Sequence, residues 1–195
     1  MSAKPKRTSR SRPYYVCLPS RFGSVCIVWQ PTATGPLVER IVLPTPNAAA
    51  ETLLHRAYAS ARQRWHPVIR DLARDLHSFL EGEAVEFSLD IVALDKRPDF
   101  QRRVLLAEHG IPRGQVSTYG LIAEHLGAPG GARAVGQALA RNPFPLVIPC
   151  HRAIRSDGTL GGFQGGLEIK RALLQMEGVQ VARGGRVLEP RWFYD

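Results

Sequence analysis

The stretch Leu146-Val147-Ile148-Pro149-Cys150-His151-Arg152 constrains this chain more than any other. An apolar run ends at a proline, and a thiol, an imidazole and a guanidinium follow in succession. Proline fixes its own φ and pushes the residue before it toward extended backbone. The reading is therefore an extended segment with Cys150 at its abrupt end. A free thiol has a pKa of roughly 8.5, and positive charge nearby lowers it, so His151 and Arg152 both favour a thiolate. A free cysteine taken alone usually packs as a small hydrophobe. The surroundings decide between packing and chemistry.

The segments on either side are helical. Phe100 to His109 reads as a helix stopped by Gly110-Ile111-Pro112. Ser117 or Thr118 then caps a second helix, whose Tyr119, Ile122, Ala123 and Leu126 fall at i, i+3, i+4 and i+7 on one apolar face. Gly127 to Gly131 breaks it, and a third helix runs from about Ala132 to Ala140, with Ala132, Val135, Gly136 and Leu139 facing inward. Two short helices around a glycine-containing break make a helix-turn-helix candidate, although the break is longer than the usual tight turn. On the outer face Arg133, Gln137 and Arg141 recur every four residues, which suits phosphate contacts or an ordinary solvated face. Gly130, Gly131, Ala132 and Ala134 leave room for a nucleic-acid backbone to approach. Asn142, before Pro143, reads as a helix terminator. A last helix runs from about Gly166, with Ile169, Ala172, Leu173 and Met176 as its stripe and Gly178 as its C-terminal cap. Glu177 follows Leu173 by four positions and points to the same face, where a buried carboxylate needs a partner.

The first half has a different texture. Met1 to Pro13 carries Lys4, Lys6, Arg7, Arg10 and Arg12 and no acid, the pattern of a disordered basic tail. Tyr14–Leu18 and Ser24–Gln30 read as strands of a hairpin, with Gly23 suited to positive φ in the turn, and Leu37–Leu43 as a third strand. Asn47 is placed to cap a helix from near Ala48. Pro67 starts another, whose Ile69, Leu72, Ala73, Leu76 and Leu80 keep helical spacing and which ends near Gly82. Val85–Leu94 reads as a further strand, and Asp95–Pro98 as the boundary between halves. The expected architecture is α+β: a basic tail over 1–13, a small β-sheet with helices over 14–94, and a mostly helical domain with a helix-turn-helix and the reactive site over 95–195.

Composition narrows the function classes. No run is long enough to span a bilayer, and the basic N-terminus lacks the apolar stretch of a secretory signal. A net charge of +9 over 195 residues favours an anionic partner, nucleic acid first. An odd cysteine count of 3, unpatterned in spacing, argues against a disulfide framework and for a reducing compartment. Cys17 and Cys26 are expected to pack within their strands, with no zinc-type spacing around them.

These blocks resemble a known family. Pro149-Cys150-His151-Arg152, with Ile111-Pro112-Arg113-Gly114-Gln115-Val116-Ser117-Thr118-Tyr119-Gly120, Ala132-Arg133-Ala134-Val135-Gly136, Asn142-Pro143, Gly165-Gly166-Leu167 and Met176-Glu177-Gly178, is similar in order and spacing to the O6-alkylguanine-DNA alkyltransferases. The specific match runs from Phe100 to Val179. The resemblance implies direct repair: the alkyl group of O6-alkylguanine, with O4-alkylthymine as a further lesion, passes once to the protein's own Cys150. It implies a relay of Glu177, His151, a water and Cys150, with Tyr119 donating a proton to the leaving guanine or holding the nearby phosphate, and Asn142 at the active-site turn. It places the second helix of the motif in the minor groove of double-stranded DNA, with Ala132, Gln137, Arg141 and Tyr119 as contacts. Arg133 fills the stack after the damaged nucleotide is flipped out. Pro145, Val147, Phe163, Gln164 and Gly165 would line the pocket, the long Gln164 bearing on which alkyl groups fit. No metal or cofactor is implied, and the protein is expected to be a monomer in the cytoplasm, or the nucleus of a eukaryote. Two other classes compete. A lesion-binding module without a reactive thiol is disfavoured by Cys150 itself, and a cysteine hydrolase would turn over repeatedly.

Overall fold

The computed structural model describes residues 12–195. The basic tail read over Met1–Pro13 lies, as far as Ser11, outside the described residues. Pro13 already accepts a hydrogen bond from Arg62 N at 3.1 Å.

Strands β1 (Tyr14–Leu18) and β2 (Val25–Thr32) form the expected hairpin, and β3 (Gly35–Val42) pairs antiparallel to β2. Gly23, at φ +101°, takes the turn conformation that a side chain disfavours. Helix α1 (Ala50–Ala57) covers one face of the sheet, packing Ala50 and Leu54 on Cys26, Val28 and Val42. A short strand β4 (Arg62–Gln63), not anticipated, adds parallel to β1 and gives the order β3-β2-β1-β4. Helix α2 (Pro67–Leu80) covers the opposite face, where Ile69, Leu72 and Leu76 meet Val16, Ile27 and Trp29. With both faces covered, Val25 to Trp29 are all buried, which explains the unbroken apolar run of β2.

Three expectations for this half are corrected. Asn47 caps no helix: α1 starts at Ala50 with Ala49 as its N-cap, and a Thr45–Ala48 turn takes up the intervening residues. Val85–Leu94 is not a strand. It meets the sheet only as a bridge between Val38 and Val92, because the edge of β3 turns instead to Pro143, whose carbonyl accepts from Ile41 N at 2.8 Å. Cys17 and Cys26 are not separate packing residues. They stand opposite each other in the hairpin register and are joined by a disulfide, their Cα atoms 4.1 Å apart. Register decides that pairing, and cysteine counting cannot see it.

The second half follows as α3 (Asp99–His109), β5 (Ser117–Thr118), α4 (Tyr119–His125), α5 (Ala132–Ala140), β6 (Ala153–Ile154) and α6 (Leu167–Met176). Thr118 caps α4, its hydroxyl accepting from Leu121 N at 3.0 Å. Gly127 and Gly130 take positive φ between α4 and α5, and a Cβ on Gly131 would stand 2.7 Å from Ala128 O. Those glycines are what let the two helices turn onto each other. The observed architecture is the expected α+β arrangement. One apolar core runs through both halves, joining Ile27, Ile69 and Phe79 to Val104, Ile122, Val135 and Ile148.

Candidate active site

The run before Cys150 is a tight buried turn rather than the extended segment expected. Asn142, fully buried, closes it from inside: Oδ1 accepts from Phe144 N at 2.9 Å and Nδ2 donates to Ile148 O at 3.0 Å. Ile148 N donates to Phe144 O at 2.8 Å, and Leu146 sits in the left-handed region at φ +75°. A non-glycine residue held there costs of order 1–3 kcal/mol and persists only where its surroundings over-determine it. Pro149 then leads into a 3-10 turn, Cys150–Arg152, and β6. Pairing of Ser117 with Ala153 and Thr118 with Ile154 sets the start of α4, hence Tyr119, beside that turn.

His151 and Glu177 meet as expected. His151 Nε2 donates to Glu177 Oε1 at 2.9 Å, both side chains essentially sealed from solvent. Arg152 grips the same carboxylate, Nε to Oε2 at 2.9 Å and Nη2 to Oε1 at 2.7 Å, and its Nη1 donates to Ile111 O. Glu177, at the C-terminal cap of α6, thus has the partners that a buried carboxylate needs. Arg113 fixes its position by donating to Met176 O at 2.7 Å and Gly82 O at 2.6 Å, the trailing carbonyls of α6 and of the turn after α2. Phe79 and Phe163 flank the imidazole, with ring centres 6.1 and 6.3 Å away. His151 Nδ1 is buried and has no hydrogen-bond partner among the described residues.

The electrostatics correct one expectation. Burial alone would raise the Glu177 carboxyl, but His151 and Arg152 more than offset it and hold it down to about 2. Burial also lowers the His151 imidazole, so the ring is neutral at rest despite Glu177 beside it. Burial pushes the Cys150 thiol up to about 12, against the Asn142 amide and the Lys170 ammonium, which favour the thiolate. The positive charge expected to activate Cys150 is missing because Arg152 is bound to Glu177 and His151 is uncharged. The resting residue is a thiol that needs a base.

Cys150 opens onto a cleft of about 710 Å³ lined also by Tyr119, Arg133, Gln137, Arg155, Phe163 and Gln164. The helix-turn-helix thus forms one wall, with Arg133 and Gln137 exposed and Ala132 half-buried along it. Burial raises the Tyr119 phenol to about 12, which keeps it a proton-bearing donor. Gly161 supports that ring closely: a Cβ there would lie 2.8 Å from Tyr119 Oη. Gln164 is tied back, Nε2 donating to Asn142 O at 2.6 Å.

Other expected pocket residues lie elsewhere. Val147 lines a separate cleft with Phe79, Ile111 and Arg152, Pro145 is buried in the turn, and Gly165 packs against Ile169 and Phe163. Arg141 is exposed beyond the end of α5, where its carbonyl accepts from Gln101. Arg155 at the cleft, Phe79 behind the imidazole, and the buried Glu108 and Lys170 were not anticipated. Lys170 follows Gly166 by one helical turn, but a lysine in a helix normally signals solvent. Among the described residues Cys17, Cys26 and Glu51 bring metal-ligand atoms within 4.8 Å of one another, but the two sulfurs are bonded together and offer no thiolates.

Comparisons with known proteins point the same way. The family profile "6-O-methylguanine DNA methyltransferase, DNA binding domain" matches residues 99–179. A methylated-DNA–protein-cysteine methyltransferase of Methanothermobacter thermautotrophicus is 48% identical over 113 residues, 58% of this chain and 63% of that protein. A protein of the same name from Mycobacterium bovis is 42% identical over 129 residues, 64% of this chain and 76% of that one. The crystal structure of Mycobacterium tuberculosis O6-methylguanine methyltransferase superposes with a TM-score of 0.69 at 30% identity, covering 85% of this chain and 92% of the other. A further structure of the Mycobacterium tuberculosis protein, in complex with DNA, superposes at 0.64 with 29% identity over 84% of this chain and 92% of that one. With the identity, the coverage and the buried Cys150-His151-Glu177 constellation all in agreement, the chain belongs to the methylated-DNA–protein-cysteine methyltransferase family.

Proposed function

We propose that this chain repairs DNA by taking the alkyl group of O6-alkylguanine onto Cys150, once per molecule. The observation that carries the reading is the hydrogen bond from His151 to Glu177, behind a buried thiol that opens onto a cleft walled by a helix-turn-helix. Glu177 holds the proton of His151 on Nε2 and leaves Nδ1 as the acceptor. Nδ1 takes the thiol proton through one water, the general arrangement of a nucleophile, a base and an orienting acid. The thiolate sulfur attacks the alkyl carbon in line, the S–C bond forms, and the C–O6 bond breaks. Tyr119 supplies the proton that leaves guanine neutral, and the proton taken up by His151 passes back through water to the Tyr119 oxygen, so both side chains end neutral. The product is a thioether without an easy leaving route, so the protein is consumed.

The lesion must leave the duplex to reach a thiol at the base of a cleft. The exposed Arg133 and the small residues at the start of α5 support entry into the minor groove, with Arg133 filling the vacated stack. Unstacking costs a few kcal/mol per step, so a plug is useful compensation. In this reading residues 95–195 carry recognition and reaction, and residues 14–94 buttress His151 through Phe79. DNA as substrate supports action in the cytoplasm, or in the nucleus of a eukaryote. No helix among the described residues is long and apolar enough to cross a membrane. The test is incubation with duplex DNA bearing labelled O6-methylguanine. One equivalent of label per chain is expected. Continued turnover, or hydrolysis of esters and amides, would favour a cysteine hydrolase instead.

A further inference from the structure

Two buried ionisable side chains take no part in the reaction above. Glu108 on α3 is 0% exposed, and neither of its carboxyl oxygens has a hydrogen-bond partner among the described residues. Lys170 on α6 is equally enclosed, and its Nζ donates to the carbonyls of Ala153 at 2.6 Å and Gly162 at 3.4 Å. Both helices pack against the 3-10 turn that carries Cys150. An acid and an amine, from different helices, therefore bear on one thiol.

Lys170 faces Glu108 from α6 and Arg152 from the 3-10 turn, while Glu108, once ionised, would act on Cys150, on Tyr119 at the start of α4, and on Tyr194 near the C-terminus. The only charged residue of α5, Arg133, is exposed, and the neighbouring His109 is bonded to Phe87 O. The Ala153 backbone dipole favours the charged form but falls short of a hydrogen bond. A carboxylate sealed off without a donor takes up a proton. Arg152 is engaged with Glu177, so it lends little charge to the thiol. Lys170 bonds only to neutral carbonyls and keeps its charge. An ionised Glu108 would cancel that charge and repel the thiolate.

We propose that Glu108 is a positioning residue for alkyl transfer: a buried, uncharged acid that leaves the Lys170 ammonium unneutralised beside the thiolate formed at Cys150. This rests on the transfer reaction proposed above. Burial raises Glu108 to about 8, so it is uncharged below that value and ionises above it. Burial lowers Lys170 to about 8, so it loses its proton in the same range. The two titrate as a pair, and both losses oppose the thiolate.

The experiment is single-turnover alkyl transfer from an O6-methylguanine duplex at saturating protein, followed from neutral to alkaline pH. In the wild type the rate falls above pH 8 and, with two protons lost, steepens toward roughly a hundredfold per unit. Glu108→Gln leaves Lys170 to titrate alone, and the limb becomes roughly tenfold per unit. A limb of unchanged steepness in the variant overturns the inference. The wild-type protein labelled with 13C at glutamate carboxyls gives a second test that needs no variant to fold. One carboxyl titrating near pH 8 is expected, and all carboxyls titrating in the ordinary acid range overturn the inference. Failure of the underlying reaction looks different: the wild-type protein would then carry no label on Cys150 at any pH.

Discussion

Replacing Glu177 by glutamine removes one oxygen and one charge, and the structure says how much that should cost. The carboxylate accepts from His151 at 2.9 Å and from Arg152 at 2.9 and 2.7 Å. Glutamine keeps a single acceptor and turns an amide toward a guanidinium that is only 8% exposed. Breaking a buried ion pair from one side typically costs about 3–5 kcal/mol, because the remaining charge is left uncompensated. Linkage gives a similar figure independently. The carboxyl is held down from 4.5 to about 2, and at about 1.36 kcal/mol per unit that is worth about 3 kcal/mol. A depressed carboxyl stabilises the fold above its unfolded value, and that contribution is lost as pH falls from 4.5 through about 2. Near neutral pH, Glu177→Gln should therefore lower the unfolding free energy by about 3 kcal/mol and Tm by roughly 6–12 °C. The gap between wild type and variant should narrow below pH 4.5 and close near pH 2. Denaturant unfolding across that range measures it. His151 also loses the group that holds its tautomer, so single-turnover transfer should slow by roughly a hundredfold or more. A variant as stable as the wild type at neutral pH, or a gap that does not change with pH, would refute the reasoning.

Two further outcomes follow from the cleft. Arg133→Ala should slow transfer from duplex DNA while leaving the slow reaction with free O6-alkylguanine base much less affected; a loss confined to affinity, with a shallower salt dependence, would make Arg133 a phosphate anchor instead. Gly161→Ala places a Cβ 2.8 Å from Tyr119 Oη on a backbone at φ +66°. The variant should lose about 1–3 kcal/mol of stability in thermal melts and transfer at least roughly tenfold more slowly, and an unchanged rate would separate Tyr119 from the reaction.

Much of this arrangement was legible in the sequence because short-range physics controls it. The α5 boundaries, the Thr118 cap and the stripe of α2 all express local periodicity and capping, and each stands where the residues indicate. Long-range features were not legible. The run before Cys150 looks extended because proline and apolar residues suggest it, yet Asn142 bonds across six residues and folds it into a turn. Arg152 reads as an activator of the thiol until α6 brings Glu177 to it. The Cys17–Cys26 bond depends on hairpin register. Glu108 and Lys170 share the helical spacing of Val104 and of Leu173 and Leu174, but they are the residue types least expected in a core, so residue type pointed both to solvent.

In the proposed reaction Cys150, at the base of the cleft and backed by His151 and Glu177, is the single acceptor of the alkyl group. Peptide mapping by mass spectrometry after reaction with an O6-methylguanine duplex tests it most directly. One added alkyl group per chain is expected, on the peptide containing Cys150, with Cys17 and Cys26 unmodified, and a Cys150→Ala protein should bind the duplex but gain no mass. An alkyl group on any other residue, or transfer that persists in Cys150→Ala, would contradict it.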